Sequence, residues 1–199
     1  MAEAQETAAK RKSSDRKLEI LGTLVTMMRE SRSKHITTKA LAARIGFSEA
    51  ALYRHFPTKA KMYEEIIGFA NNYVITCINK ISSEESSGIE QARQLFLTLI
   101  KLIQDEPGLV FLFCGETLAS EDPRLQESVN LVYAQLQTVF KQCLRLAVAQ
   151  EEVPDSYDVS TRANMLVALL LGHWMRHVKG DASGAALEPL KQVYLILGK

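Results

Sequence analysis

The sequence predicts an all-α chain of about nine helices, an N-terminal helix-turn-helix head followed by an α-helical body. Three observations carry this. Apolar residues recur three and four positions apart along most of the 199 residues, the spacing of one helix face. No useful length alternates with the two-residue period of a strand. The 47% apolar content is enough for a core and argues against global disorder. One or two domains fit the length.

The elements follow in order. Residues 1–14 are polar and are expected to form a disordered basic arm, with Lys10, Arg11 and Lys12 free to track a polyanion. Residues 15–32 read as a first helix, with Leu18, Leu21, Leu24, Val25 and Met28 on one face. Short helices follow at 37–44 and 48–55, and Pro57 closes them. A longer helix spans 58–81, ended by the polar linker 82–88, SSEESSG. Residues 89–104 place Ala92, Leu95, Phe96, Leu99, Leu102 and Ile103 inward. Pro107 suits the first position of a helix to 119, and Pro123 that of one to 150. The last two helices are expected at 157–179 and 185–197, separated by a break at 180–184. The expected domains are the arm, a head at 15–62 and a body at 63–199.

Charge separates these domains. The net charge is +1, but residues 10–61 hold 13 Lys/Arg against four acids, a net of +9. Residues 62–199 carry 11 bases and 17 acids, a net of −6. One end is built to meet a polyanion. The polar N-terminus has no apolar core of a secretory signal. The longest apolar run, 165–171 continued through Trp174 and Met175, is shorter than the roughly 20 residues a membrane span needs. No membrane association is expected. Cys77, Cys114 and Cys143 stand singly on apolar stretches and read as reduced core residues of a cytoplasmic protein. His173 and His177 are four apart but lack a third ligand, so packing is expected and no metal. No phosphate-cradling glycine loop, nucleophile elbow or paired carboxylate suggests an enzyme, and no cofactor is expected.

The chemistry lies in residues 36–61, ITTKALAARIGFSEAALYRHFPTKAK. Ala42 is small where two helices cross, and Gly46 supplies the positive φ of a tight turn. Leu41, Ile45 and Leu52 are spaced to fill the corner. Ser48 is a good N-cap. The second helix has only about two turns, too few to be stable alone. Mounted on a scaffold, it fits a major groove. Glu49, Ala50 and Ala51 are placed to face base edges, where Glu accepts from cytosine N4 and Ala meets a thymine methyl. Lys59 and Lys61 lie in the first turn of the next helix, opposing its dipole unless a phosphate docks there. Tyr53, Arg54 and His55, and Thr37, Thr38 and Lys39 on the earlier helix, are candidates for neighbouring phosphates.

These residues resemble the DNA-binding domain of the TetR family, through Ala42, Gly46, Ser48, Leu52, Tyr53, His55, Phe56 and Lys59. The resemblance implies homodimers reading a palindromic site on double-stranded DNA. It implies that the last two helices form an intersubunit four-helix bundle, with Leu166, Leu170, Trp174, Val193 and Leu197 as its expected seam. A narrower similarity, to the nucleoid occlusion branch of that family, extends through Pro107-Gly108-Leu109, Asp122, Arg124-Leu125-Gln126, Asn130, Gly172, Arg176 and Val178. That branch couples chromosome position to division and implies a nucleoid-associated protein that antagonises assembly of the tubulin-like FtsZ. The partner surface it implies lies around Lys101, Asp105 and Glu106. In that branch the two positions before Pro-Gly tend to be basic and amide, whereas here they are acidic. The alternative is a repressor that takes a small apolar effector in its body. The dense Leu, Val, Ile and Phe of the body helices favour a filled core instead.

Overall fold

A computed structural model describes residues 2–31, 36–114, 118, 121–181 and 188–198, with side chains from residue 14 onward except residue 31. Nine helices lie among these residues: α1 (Ala2–Ser31), α2 (Thr38–Ile45), α3 (Glu49–His55), α4 (Lys59–Glu84), α5 (Gly88–Asp105), α6 (Pro107–Cys114), α7 (Pro123–Ala149), α8 (Val159–Lys179) and α9 (Pro189–Leu197). No described residue is in a strand.

Two boundaries differ most from expectation, and two differ less: α4 runs to Glu84 rather than 81, and α8 begins at Val159 rather than 157. The first helix begins at Ala2, so residues 2–14 are helical rather than a disordered arm. Ten of residues 2–14 are Ala, Glu, Gln, Lys or Arg, all good helix formers, and none is Gly or Pro. A helix nucleated by the packed turns beyond residue 18 can propagate back through them at little cost. The side chains of Lys10, Arg11 and Lys12 lie outside the described residues. The last helix begins at Pro189, not at 185, with Glu188 as its cap. Positions 185–187 lie outside the described residues, as do 115–117 and 119–120 of the expected sixth helix.

The head is built on local signals. Thr37 caps α2 by accepting from the Ala40 amide, Ser48 caps α3 through Ala51, and Thr58 caps α4 through Lys61. Gly46 ends α2 at φ 79°, and the Phe47 amide then reaches the Ala42 carbonyl at 2.8 Å. That left-handed turn is what a glycine permits. Ile20, Leu24 and Met28 of α1, Leu41 and Ala42 of α2, Leu52 of α3, then Phe56 and Met62, are buried. Arg44 holds Glu30 in a two-pronged ion pair at 2.7 and 2.8 Å, pinning α2 to α1. The guanidinium beside Glu30 keeps that carboxyl below its ordinary range.

Helix α4 runs 26 residues, about 39 Å, from head into body. In the body, α5 lies against α4, α6, α7, α8 and α9. It presents Leu95, Phe96, Leu99 and Leu102 to them, all buried. The centre is occupied by Trp174, whose indole N–H donates to the Leu99 carbonyl at 3.0 Å. Its ring stacks on Phe113 at 5.3 Å and 12°. Helix α6 joins body to head by packing on α1. Gly108 permits that contact, because a Cβ there would stand 2.5 Å from Val25 Cγ1 and 2.7 Å from the Val25 carbonyl oxygen. At the far end, α9 closes on α8. Arg162 donates to the Ile196 carbonyl and the Tyr157 hydroxyl to the Leu197 carbonyl, satisfying the last turn of α9 with a cation at its negative end.

The expected dimer seam is corrected by burial. Leu166, Leu170, Trp174, Val193 and Leu197 are fully buried inside the single chain. They form its core and are not available to a second copy. The exposed stripe on α8 runs one residue away, through Met165, Ala168, Gly172 and Met175. Its three-four-three spacing is that of a helix–helix seam. Helix α9 exposes Leu190 and Leu195, the latter 78% exposed.

Candidate nucleic-acid interface

The helix-turn-helix gathers the predicted residues, but not all in their predicted roles. Lys39, Ser48, Glu49, Ala50, Tyr53, Arg54 and Lys61 are exposed on the head, with Ala51 half-buried. Arg54 makes no ion pair or hydrogen bond with any other described residue, so its guanidinium is available to a phosphate. Lys61 pairs with Glu64 of its own helix at 2.7 Å, an exposed contact that water and salt weaken. His55 is half-buried, stacked over Phe47 with ring centroids 6.3 Å apart. Arg16 and Lys17 lie over the rings of Phe47 and Phe56 at 5.6 and 5.0 Å, and pair with Glu19 at 2.6 Å and Glu65 at 3.5 Å, exposed pairs that water and salt weaken. Thr37 caps α2 by accepting from the Ala40 amide, which leaves its hydroxyl hydrogen able to donate.

Lys59 is the clearest correction. Its ammonium is paired with Glu121, which lies between α6 and α7, and its side chain is only 12% exposed. It also lies over the Tyr63 ring at 5.7 Å. Burial, and next the Glu121 charge, push the Tyr63 phenol up. The cation at the start of α4 is thus balanced by an acid of the body. The pair ties head to body.

Three other residues form a connected chain. The Tyr53 hydroxyl donates to Thr38 Oγ1 at 3.3 Å, and the Thr38 hydroxyl donates to Glu49 Oε2 at 2.8 Å. Sequence reading assigned Thr38 and Tyr53 to phosphates. The signal it missed is positional: Glu49 and Tyr53 are four apart on α3 and share a face.

On the body, Lys101 pairs with Asp105 at 3.3 Å along α5, and Glu106 is exposed beyond it. Across from them α4 exposes Phe69 and Tyr73, 50% and 40%. Burial raises the Tyr73 phenol, followed by Cys77 and then the charges of Asp105 and Glu106, which places the acidic pair near this aromatic face. Phe69 and Tyr73 were not singled out in the sequence. Their signal is an aromatic pair at i and i+4 where a buried helix face does not need it. No helix among the described residues is long and apolar enough to cross a membrane.

Comparison with known proteins agrees with this layout. The family model "Bacterial regulatory proteins, tetR family" matches residues 34–66, which hold the helix-turn-helix. A second, "Tetracyclin repressor-like, C-terminal domain" of the SlmA-like kind, matches residues 88–197, most of the body. The nucleoid occlusion factor SlmA of Marinomonas sp. is 34% identical over 188 residues, 94% of this chain and 95% of that one. The protein of the same name from Shewanella sediminis is 33% identical over 183 residues, 92% and 93%. Among solved structures, a TetR-family transcriptional regulator from Agrobacterium tumefaciens superposes with TM-score 0.75 at 17% identity, covering 94% of this chain and 97% of that one. The ketosteroid regulator KstR2 of Mycobacterium tuberculosis gives 0.70 at 20% identity, covering 92% and 93%, a likeness of fold. With a helix-turn-helix head, a body matched along its length, and relatives sharing a third of their residues with both, the chain belongs to the TetR family of DNA-binding regulators and, within it, to the SlmA group.

Proposed function

We propose that this protein is a nucleoid occlusion factor that binds palindromic chromosomal sites as a homodimer and, while bound, antagonises assembly of FtsZ. The observation that carries the reading is that similarity to the SlmA proteins runs through the body as well as the head. A regulator that shared only DNA binding would match in the head alone. The head supplies affinity through exposed Arg54, Lys39 and Lys61 on phosphates, with Arg16 and Lys17 adding to the local field. Two copies joined through the exposed stripes of α8 and α9 present two such heads about one two-fold axis, matching half-sites in successive major grooves. The division protein would dock on the face formed by Phe69 and Tyr73 with Lys101, Asp105 and Glu106. Its acidity calls for a segment of FtsZ that offers cations beside apolar side chains. The protein is not expected to be an enzyme, and it would reside on the nucleoid.

The deciding experiment mixes the full chain with FtsZ and GTP, with and without its selected DNA site, and follows polymer light scattering. Loss of polymer only with DNA present supports the reading. Unaffected polymer in both cases sinks it and leaves the ligand-responsive repressor in its place. The head assignments have a separate measurement. Arg54→Ala should weaken binding to all sequences and lower the slope of log affinity against log salt by about one. Lys59→Ala should leave that slope unchanged and lower the thermal midpoint, since it removes the nearly buried ion pair with Glu121 that ties head to body. A flattened slope for Lys59→Ala would return that lysine to the phosphates.

A further inference from the structure

The acid in the middle of the basic head needs an explanation. Glu49 is exposed, and it begins the short helix that enters the groove. A carboxylate there repels every phosphate nearby, so it weakens sequence-independent binding. As a brace between α2 and α3 it offers little, because an exposed hydrogen bond returns little net stability. Yet the head takes pains to hold it.

The direction of each hydrogen bond in the chain is fixed by chemistry. An ionised carboxylate only accepts, so the single Thr38 hydrogen goes to Glu49 Oε2. Thr38 Oγ1 then accepts from Tyr53, whose hydroxyl lies 3.3 Å away. Thr38 on α2 thus restrains one oxygen of Glu49, and Tyr53 on α3 in turn holds Thr38. The other oxygen, Oε1, makes no hydrogen bond to the described residues. Ala50 beside it is exposed and small, leaving room for a base pair to approach.

We propose that Glu49 is a specificity-determining residue that selects a cytosine in each half-site, and that Thr38 and Tyr53 are its positioning residues. The inference rests on the DNA-binding reading above. Only two groups in the major groove donate hydrogen bonds, cytosine N4 and adenine N6. Adenine N6 sits beside its own N7 acceptor, whose lone pair faces an approaching carboxylate. Cytosine N4 is flanked on its own ring by C5–H, which does not repel it. An acceptor-only group held at a fixed angle therefore discriminates for cytosine. The chain through Tyr53 and Thr38 polarises along its length and limits the carboxylate's rotation, which turns a flexible side chain into a directional one.

The test uses the full chain and random duplex DNA. Selection with the wild type defines the site, and each base pair of it is then substituted in turn. Glu49→Gln keeps the acceptor that Thr38 bonds and adds an amide donor. It should lose about tenfold or more of the preference for cytosine at one position per half-site and gain tolerance of adenine there. The same variant should bind random-sequence DNA more tightly than the wild type, because a repelled charge is gone. A merely structural residue would weaken both together. Thr38→Val and Tyr53→Phe should soften discrimination at that same position and no other. If Glu49→Gln keeps the wild-type preference at every position, or loses specific and random-sequence binding in parallel, the inference is overturned. If the wild type selects no site at all, it is the DNA-binding reading that fails.

Discussion

Gly172→Glu should leave the chain folded and separate the proposed dimer into monomers. Gly172 lies on the exposed stripe of α8, and a Cβ built there meets nothing within 4 Å inside the chain. The substitution costs the monomer no packing. It should even favour the helix by about 0.5 kcal/mol, because glycine is a poor helix former. Across a two-fold seam the change enters twice. Two carboxylates would lose water between helices that Ala168 and Gly172 otherwise allow to approach closely. A penalty of at least about 4 kcal/mol, after relaxation, raises the dimer dissociation constant roughly a thousandfold. Affinity for a palindromic site should then fall by about a hundredfold or more, as bivalence is lost. Sedimentation equilibrium reads the first effect, titration of labelled duplex the second, and circular dichroism confirms the fold. A dimer of undiminished strength would place the seam elsewhere. Leu170→Glu, one of the residues the sequence offers as a seam, should behave differently. It buries a charge in a core position with no exposure, so the chain should unfold rather than dissociate.

That contrast shows where sequence reading reaches and where it stops. The head was legible because its signals are local. Ser48 capping α3, Gly46 at the turn and the burial of Leu41 and Leu52 are all set within a dozen residues, and the structure has each in place. The seam was not legible. On a helix as apolar as 165–175, the buried stripe through Leu166 and Leu170 and the exposed stripe through Met165 and Gly172 differ by one residue. Only the packing of α5, α6, α7 and α9 decides which faces inward. Lys59 failed for a related reason. Its cationic position at a helix start was read correctly as needing an anion, but the anion is Glu121, 62 positions away and visible only once the chain is folded. The linker expected at 82–88 narrows to Glu85, Ser86 and Ser87, since Ser82, Ser83 and Glu84 end α4 and Gly88 begins α5, which Ser87 caps. What the sequence did not disclose is that Gly88 is buried against α7 and its amide donates to Gln150 at 2.9 Å. Residues 2–14 are helical because their helix propensity outweighs the polarity that by itself suggests an unfolded arm.

Trp174→Ala should be among the most destabilising single changes in the chain, and it bears on the choice between a filled body and a ligand pocket. Trp174 has no solvent exposure, donates to the Leu99 carbonyl and stacks on Phe113. Removing an indole of this kind costs about 4 kcal/mol through lost transfer energy and the cavity left behind. A domain of this size should lose roughly 10 °C of thermal midpoint. Trp174→Phe, which keeps an aromatic ring for Phe113 but not the N–H, should lose about half as much. The cavity in the alanine variant has the shape of indole, so added indole should bind it. At ten times its dissociation constant, that ligand returns about 1.4 kcal/mol and a few degrees of midpoint. The wild type should not respond, because Trp174 already occupies the space. A midpoint unchanged by Trp174→Ala would mean that the indole is not part of the core. A wild-type midpoint raised by indole would mean that the body already holds a cavity open to an apolar guest. Such a cavity is what a ligand-responsive repressor requires, and a regulator governed by DNA occupancy does not need one.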